Sequence, residues 1–231
     1  WQAVQWVSDA PAYILPGPLA VATVLLERWP QLIDHAWVTF AEILLGLSLG
    51  LLLGGLSALA IANFRPMRRW LLPVLVVSQA IPVFALAPIL VVWLGYGMAS
   101  KVVMATLIIY FPVTSAFFDG LRRTEPGWLD LAQTMGGSRR RVLWHLRVPA
   151  ALPALGSGMR VATAVAPIGA VVGEWVGSSA GLGYLMLQAN ARMQVDVMFA
   201  ALFVLAVFAV SLYFAVDRLV RRALPWQAEE G

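Results

Sequence analysis

Apolar residues run along this chain in stretches too long for the strands or half-buried helices of a water-soluble fold. From Ile43 to Ala62, twenty residues pass without a charge, matching the ~20 that cross ~30 Å of hydrocarbon as a helix. Trp70 to Ser100 is also uncharged but too long for one straight helix, and it carries Pro73, Pro82 and Pro88. This pattern predicts an interfacial start and a proline-kinked span ending near Leu94, with Gly95-Tyr96-Gly97 as the turn. Val102 to Phe118, roughly Leu155 to Val172, and Val197 to Val216 give three further spans. The expectation is an all-α polytopic membrane protein with about five complete transmembrane helices.

Ahead of these spans, Pro11 to Pro18 and then Leu19 to Trp29 are too broken by proline to cross. They read as an extended entry and a short interfacial helix. The opening Trp1 to Asp9 also has an interfacial composition, so a preceding hydrophobic segment is expected to be missing. Within the first span Gly46, Gly50 and Gly54 recur every fourth residue, a stripe that lets another helix approach closely. Gly46-Leu47-Ser48-Leu49-Gly50 matches the hydrolase Gly-x-Ser-x-Gly pattern, but that motif needs a strand-to-helix elbow, and here it falls inside a span.

Composition sharpens this reading. The chain of 231 residues is 61% hydrophobic with mean hydropathy +0.80 and 12% charged residues, against ~45–50% apolar in soluble domains. There is no Cys, which removes disulfides, thiolate metal sites and a cysteine nucleophile. His35 and His145 fall on opposite sides of the membrane and share no metal. No catalytic residue, metal or cofactor is assigned, and nothing points to nucleic acid.

Charge then orients the spans. Arg65, Arg68, Arg69, Arg122, Arg123, Arg139, Arg140, Arg141, Arg147, Arg160, Arg218, Arg221 and Arg222 fall on one side, and only Arg28, Lys101 and Arg192 on the other. Thirteen against three places the central polar loop and the C-terminus in the cytoplasm.

That loop, residues 119–153, is the one long departure from the apolar pattern. Asp130 to Met135 suits a helical turn or two with the acid near its N-terminus, where the helix dipole favours it. Gly136-Gly137 breaks the turn, Ser138 is an N-cap, and Arg139 to Leu146 suits a second short helix, closed by Pro149. A solvated amphipathic loop resting on anionic lipid fits the same residues. Arg139, Arg140 and Arg141 suit either an acidic protein cleft or lipid headgroups.

The loop resembles the cytoplasmic signature of the permease subunits of bacterial binding-protein-dependent ABC importers. That signature reads Glu-Ala-Ala, three residues, Gly, nine residues, Ile, one residue, Leu-Pro. Asp130-Leu131-Ala132 stand in the first three places, Gly136 in the glycine's, Leu146 in the isoleucine's, and Val148-Pro149 in the last two. Asp for Glu and Leu for Ala are departures. Leu15-Pro16-Gly17-Pro18, the Pro82 to Pro88 segment, and Gly173-Glu174 followed by Gly181-Leu182-Gly183-Tyr184 resemble the nitrate, sulfonate and taurine branch, which includes permeases for thiamine pyrimidine precursors and riboflavin.

The resemblance implies a type I importer permease fold with six spans, the first truncated here. It implies a single permease domain over 1–231 in the bacterial inner membrane, working as a pair of identical copies with two ATP-binding subunits and an external solute-binding protein. Asp130, Ala132, Gly136, Gly137, Arg139, Arg140, Arg141, Leu146 and Pro149 would form the contact with the ATPase. The chain has no Gly-x-x-x-x-Gly-Lys-Ser/Thr phosphate loop, so a partner would hydrolyse ATP. A translocation path or gate would draw on Glu42, Gln79, Pro82, Thr163, Glu174, Gly181 and Gly183. Glu42 and Glu174 sit near span ends, shallow enough to reach interfacial water. The rival readings are an ion-coupled secondary transporter or channel, which would carry carboxylates or charge pairs near the midplane, where the long apolar runs show none, and a lipid-modifying enzyme, which would need clustered acids, His or a nucleophile. Substrate leans towards a hydroxymethylpyrimidine-type thiamine precursor, with sulfonate, taurine and nitrate as the alternatives.

Overall fold

The computed structural model describes residues 1–8, 11 and 13–226. Asp9, Ala10 and Ala12 of the predicted N-terminal entry and the polar tail beyond Trp226 lie outside the described residues. The helices are α1 (Gln2–Ser8), α2 (Pro18–Glu27), α3 (Trp29–Asn63), α4 (Arg65–Ser78), α5 (Val83–Leu94), α6 (Met98–Arg122), α7 (Pro126–Thr134), α8 (Arg139–Gly177), α9 (Leu182–Ala191) and α10 (Val195–Ala223). No strand occurs among the described residues. A chain whose backbone must satisfy its own hydrogen bonds in lipid has only the helix or the closed barrel open to it.

Four helices, α3, α6, α8 and α10, are long and apolar enough to cross a bilayer, and α4 with α5 makes a fifth span if the broken pair is counted as one. The spans outrun the apolar cores that predicted them. Helix α3 starts at Trp29, not Ile43, because Pro30 sits in its first turn, where no N–H is needed. The predicted kinked second span is instead two helices, broken sharply at 79–82. Pro82 lacks an N–H and disfavours helical backbone at Ile81, so the helix stops there rather than bending.

The chain divides into two compact units. The first comprises residues 1–46, 84–105 and 166–211, and the second residues 47–83, 106–165 and 212–231. In the first unit Leu32, Ile43, Met104, Leu182 and Val197 are fully buried. In the second, Ala58, Ile61, Leu75, Phe117, Phe118, Leu121, Leu143 and Ala151 form one core cluster. A Cβ at Gly54 would stand 2.9 Å from Val113, and one at Gly50 would overlap Ile109. These two glycines of the predicted stripe therefore let α3 lie close on α6.

Candidate functional site

Two polar constructions stand out from the apolar framework. The first is the loop around α7. Its helix begins at Pro126 behind the N-cap Glu125, four residues ahead of Asp130. The expected placement of Asp130 at a helix N-terminus is therefore wrong: proline at the first helical position starts the helix earlier, and Asp130 lies exposed in mid-helix.

The end of α7 follows from its glycines. Gly136 N–H donates to Gln133 O at 2.9 Å and Gly137 N–H to Ala132 O at 2.8 Å, the paired bonds of a Schellman cap. Gly136 has φ +73, a backbone setting that costs an L-residue ~1–2 kcal/mol. Gly137 has no room for a side chain, since a Cβ would stand 2.6 Å from Ala132 O. Ser138 then caps the next helix, its Oγ accepting from Arg141 N–H at 3.4 Å.

The predicted second short helix does not exist as a separate element. Arg139 opens α8, which runs through to Gly177, so Pro149 closes nothing. A π-helical turn at Leu143–Arg147 immediately precedes it, and there Val148 N–H donates to Leu143 O. Such a widened turn lets a helix take in a proline without ending. The loop of about thirty residues thus contracts to α7 and two short links. Arg147 anchors it by donating from Nε and Nη2 to Leu121 O at 3.2 and 2.9 Å, near the C-terminus of α6.

Leu146 and Pro149 are half-buried, whereas Arg139, Arg140 and Arg141 are exposed. Sequence reasoning overlooked three apolar residues on α7. Trp128 (50% exposed), Leu131 (60%) and Met135 (79%) recur at i, i+3 and i+7, one face of a helix. That spacing was visible in the sequence as a stripe in a polar loop.

The second construction lies in the first unit, at the start of α9. Four N–H groups at a helix N-terminus have no partner within the helix, and here side chains answer all four. Gly181 N–H donates to His35 Nδ1 at 3.0 Å, and Leu182 N–H to Thr39 Oγ1 at 2.8 Å. Gly183 N–H and Tyr184 N–H both donate to Glu174 Oε2, the latter at 3.2 Å. Thr39 in turn donates to Glu174 Oε1 at 2.6 Å. Gly181 has φ +117, and a Cβ there would overlap the Glu174 carboxylate, as one at Gly183 would crowd it at 2.8 Å. The two glycines are the cradle of that carboxylate.

Beside it, Lys101 Nζ stands 2.7 Å from Glu42 Oε1 and donates to Ser178 Oγ at 2.9 Å. The Lys101 ammonium is thus the counter-charge of the Glu42 carboxylate. Glu42 and Glu174 are 0% and 1% exposed, which overturns the expectation that they reach interfacial water. Lys101 is likewise buried and is no flanking charge.

Two charge pairs join long helices, Glu42–Lys101 in the first unit and Arg160–Asp217, at 2.6 Å, in the second. The remaining predicted path residues belong to the second unit. Thr163 is buried and donates to Met159 O at 2.8 Å within its own helix. Gln79 and Pro82 are exposed at the break after α4, where Gln79 Nε2 meets Ser78 Oγ at 3.5 Å.

Helices of this number and length, with a glycine-capped helix between two of them, are those of a multi-pass membrane protein. The chain belongs to the family described as binding-protein-dependent transport system inner membrane component, whose model matches residues 46–225. It is 59% identical over 222 residues to a probable ABC transporter permease protein of Haemophilus influenzae, covering 96% of this chain and 91% of that one. It is 36% identical over 219 residues to the formylaminopyrimidine transport permease protein of Halalkalibacterium halodurans, covering 94% and 88%. Its fold is that of a chain in inward-facing structures of the MetNI methionine ABC transporter, with TM-score 0.74 and 20% identity over 85% of this chain and 97% of that one. The protein is an ABC importer permease subunit.

Proposed function

We propose that α7 is the coupling helix through which ATP hydrolysis in a partner subunit drives alternating access in this permease. The observation that carries the reading is the exposed Trp128, Leu131 and Met135 stripe. Three large apolar side chains on a short helix outside the spanning segments are suited to a cleft in another protein. The Schellman cap at Gly136-Gly137 and the Arg147 anchor hold that helix in a fixed setting, so a push on it reaches the spans. Two ATP-binding subunits, a second copy of the permease and an external solute-binding protein complete the assembly, with α7 and the C-terminus on the cytoplasmic side. The hydrolysis itself belongs to the partner, since the chain carries no phosphate loop.

The gate belongs to the first unit. Glu174, Gly181 and Gly183 fix the start of α9, and Glu42 with Lys101 holds Ser178 beside it. Gln79 and Pro82 mark a break that can flex. The cargo is a pyrimidine precursor of thiamine, a reading supported by the formylaminopyrimidine permease of similar sequence.

The test is uptake into proteoliposomes containing the permease, its ATP-binding subunit and its solute-binding protein. Uptake should require ATP, and Leu131→Arg should abolish it while the permease remains inserted. Transport without ATP or partners would overturn the reading. For the cargo, hydroxymethylpyrimidine, taurine, alkanesulfonates and nitrate are titrated against the binding protein, where preference for a sulfonate would overturn the pyrimidine assignment.

A further inference from the structure

We propose that the C-terminal end of α10 binds the headgroup of an anionic phospholipid. The apolar run from Val197 to Val216 ends abruptly at Asp217, and Arg218, Arg221 and Arg222 follow within two turns. A transition of this kind marks the level at which hydrocarbon gives way to headgroups. Helix α10 is also the least buried of the four long spans.

The basic residues share a face with an aromatic ring. Phe214, Arg218, Arg221 and Arg222 stand at i, i+4, i+7 and i+8, which is one side of a helix. All four are exposed, whereas Val216 and Val220 are buried on the other side against Leu152 and Met159. The exposed face forms a shallow groove of about 650 Å³, with Phe214 and Ala215 at its apolar end and the arginines at the other. An acyl chain along Phe214 and a phosphate among the guanidiniums match that division.

Charge complementarity favours an anion. The Asp217 carboxylate lies between Arg160 Nε at 2.6 Å and Arg221 Nε at 2.9 Å. One carboxylate thus sits among the guanidiniums of Arg160, Arg218, Arg221 and Arg222, and among the described residues no carboxylate pairs with Arg218 or Arg222. Arginine forks bind phosphate oxygens in pairs, which a lysine ammonium does not do. A basic residue at an anionic membrane surface contributes ~1 kcal/mol of attraction.

The experiment is native mass spectrometry of the purified full transporter from nanodiscs containing phosphatidylglycerol and phosphatidylcholine. The natural protein should retain phosphatidylglycerol in preference. R218A/R222A should bind it on the order of thirty-fold more weakly, with insertion and subunit composition unchanged. R218K/R222K, which keeps charge but loses the fork, should fall between. Equal retention by the natural protein and R218A/R222A would overturn the proposal, as would equal retention of the two lipids. So would protection of this face by another subunit in nanodiscs of phosphatidylcholine alone. Glu229 and Glu230 follow closely in the chain, and retention that arises only in E229Q/E230Q would assign the arginines to the tail instead.

Discussion

The first unit buries Glu174 and Thr39 against the backbone of α9 and pairs a buried Glu42 with Lys101, whereas the second packs α6, α8 and their neighbours through apolar side chains and glycines and keeps α7 exposed. In the first, a charge without its partner would be stranded in a medium that cannot solvate it. In the second, the polar groups of the α7 loop reach water whether or not they bond. The same residue type therefore does different work in each. Gly181 leaves room for a buried carboxylate, while Gly136 turns the chain in the open, with nothing within 4 Å of where its Cβ would be. A buried polar site is suited to hold one arrangement, and an exposed, capped helix to receive a partner.

Lys101→Met should produce the largest effect. It leaves Glu42 buried without its counter-charge and should cost about 3–5 kcal/mol, read as earlier thermal unfolding in detergent. Adding Glu42→Gln should recover much of the loss, and failure to recover would mean that the pair is not the source of the effect. Glu174→Ala should come next, since it strands the N–H groups of Gly183 and Tyr184, at about 1–3 kcal/mol for each buried group left unpaired, while the Thr39 hydroxyl keeps His35 O as an acceptor. Hydrogen exchange should rise at the start of α9 and not at α7. If both regions loosened together, the contrast between the units would fail.

Gly136→Val should cost the second unit about 1–2 kcal/mol of backbone strain, yet abolish ATP-driven uptake with the permease still inserted. Loss of insertion would reduce the loop to a structural role. Ser138→Ala is the mildest test. Its capping bond is long at 3.4 Å, so the cost should lie near the lower end of the ~0.5–2 kcal/mol range for N-caps, with uptake slowed rather than lost.

The parts of this molecule legible in the sequence were those written locally. Apolar run length gave the spans, the glycine pair gave the turn after α7, and Ser138 gave a cap. Trp128, Leu131 and Met135 were equally local, but a three-residue apolar stripe within a polar loop reads alike whether it packs on the protein or faces a partner. His35, Thr39 and Glu42 were legible in part, since i, i+4 and i+7 place them on one face of α3. Helix ends were misplaced where a proline set them, at Pro30, Pro82 and Pro126, and at Pro149, which the helix takes in without ending.

By itself the sequence determined that this chain crosses a membrane as helices, because some twenty apolar residues in a row have a single stable solution in lipid. It also determined where the chain turns outside the membrane, since proline and the left-handed glycine act through their own backbone. Only the tertiary structure decided that Thr39 would meet Glu174, 135 residues away, and that Glu42 would meet Lys101. A carboxylate in a helix reads alike whether it faces water, lipid or a lysine. Its environment is set by which helices become neighbours, and that depends on packing among all of them at once.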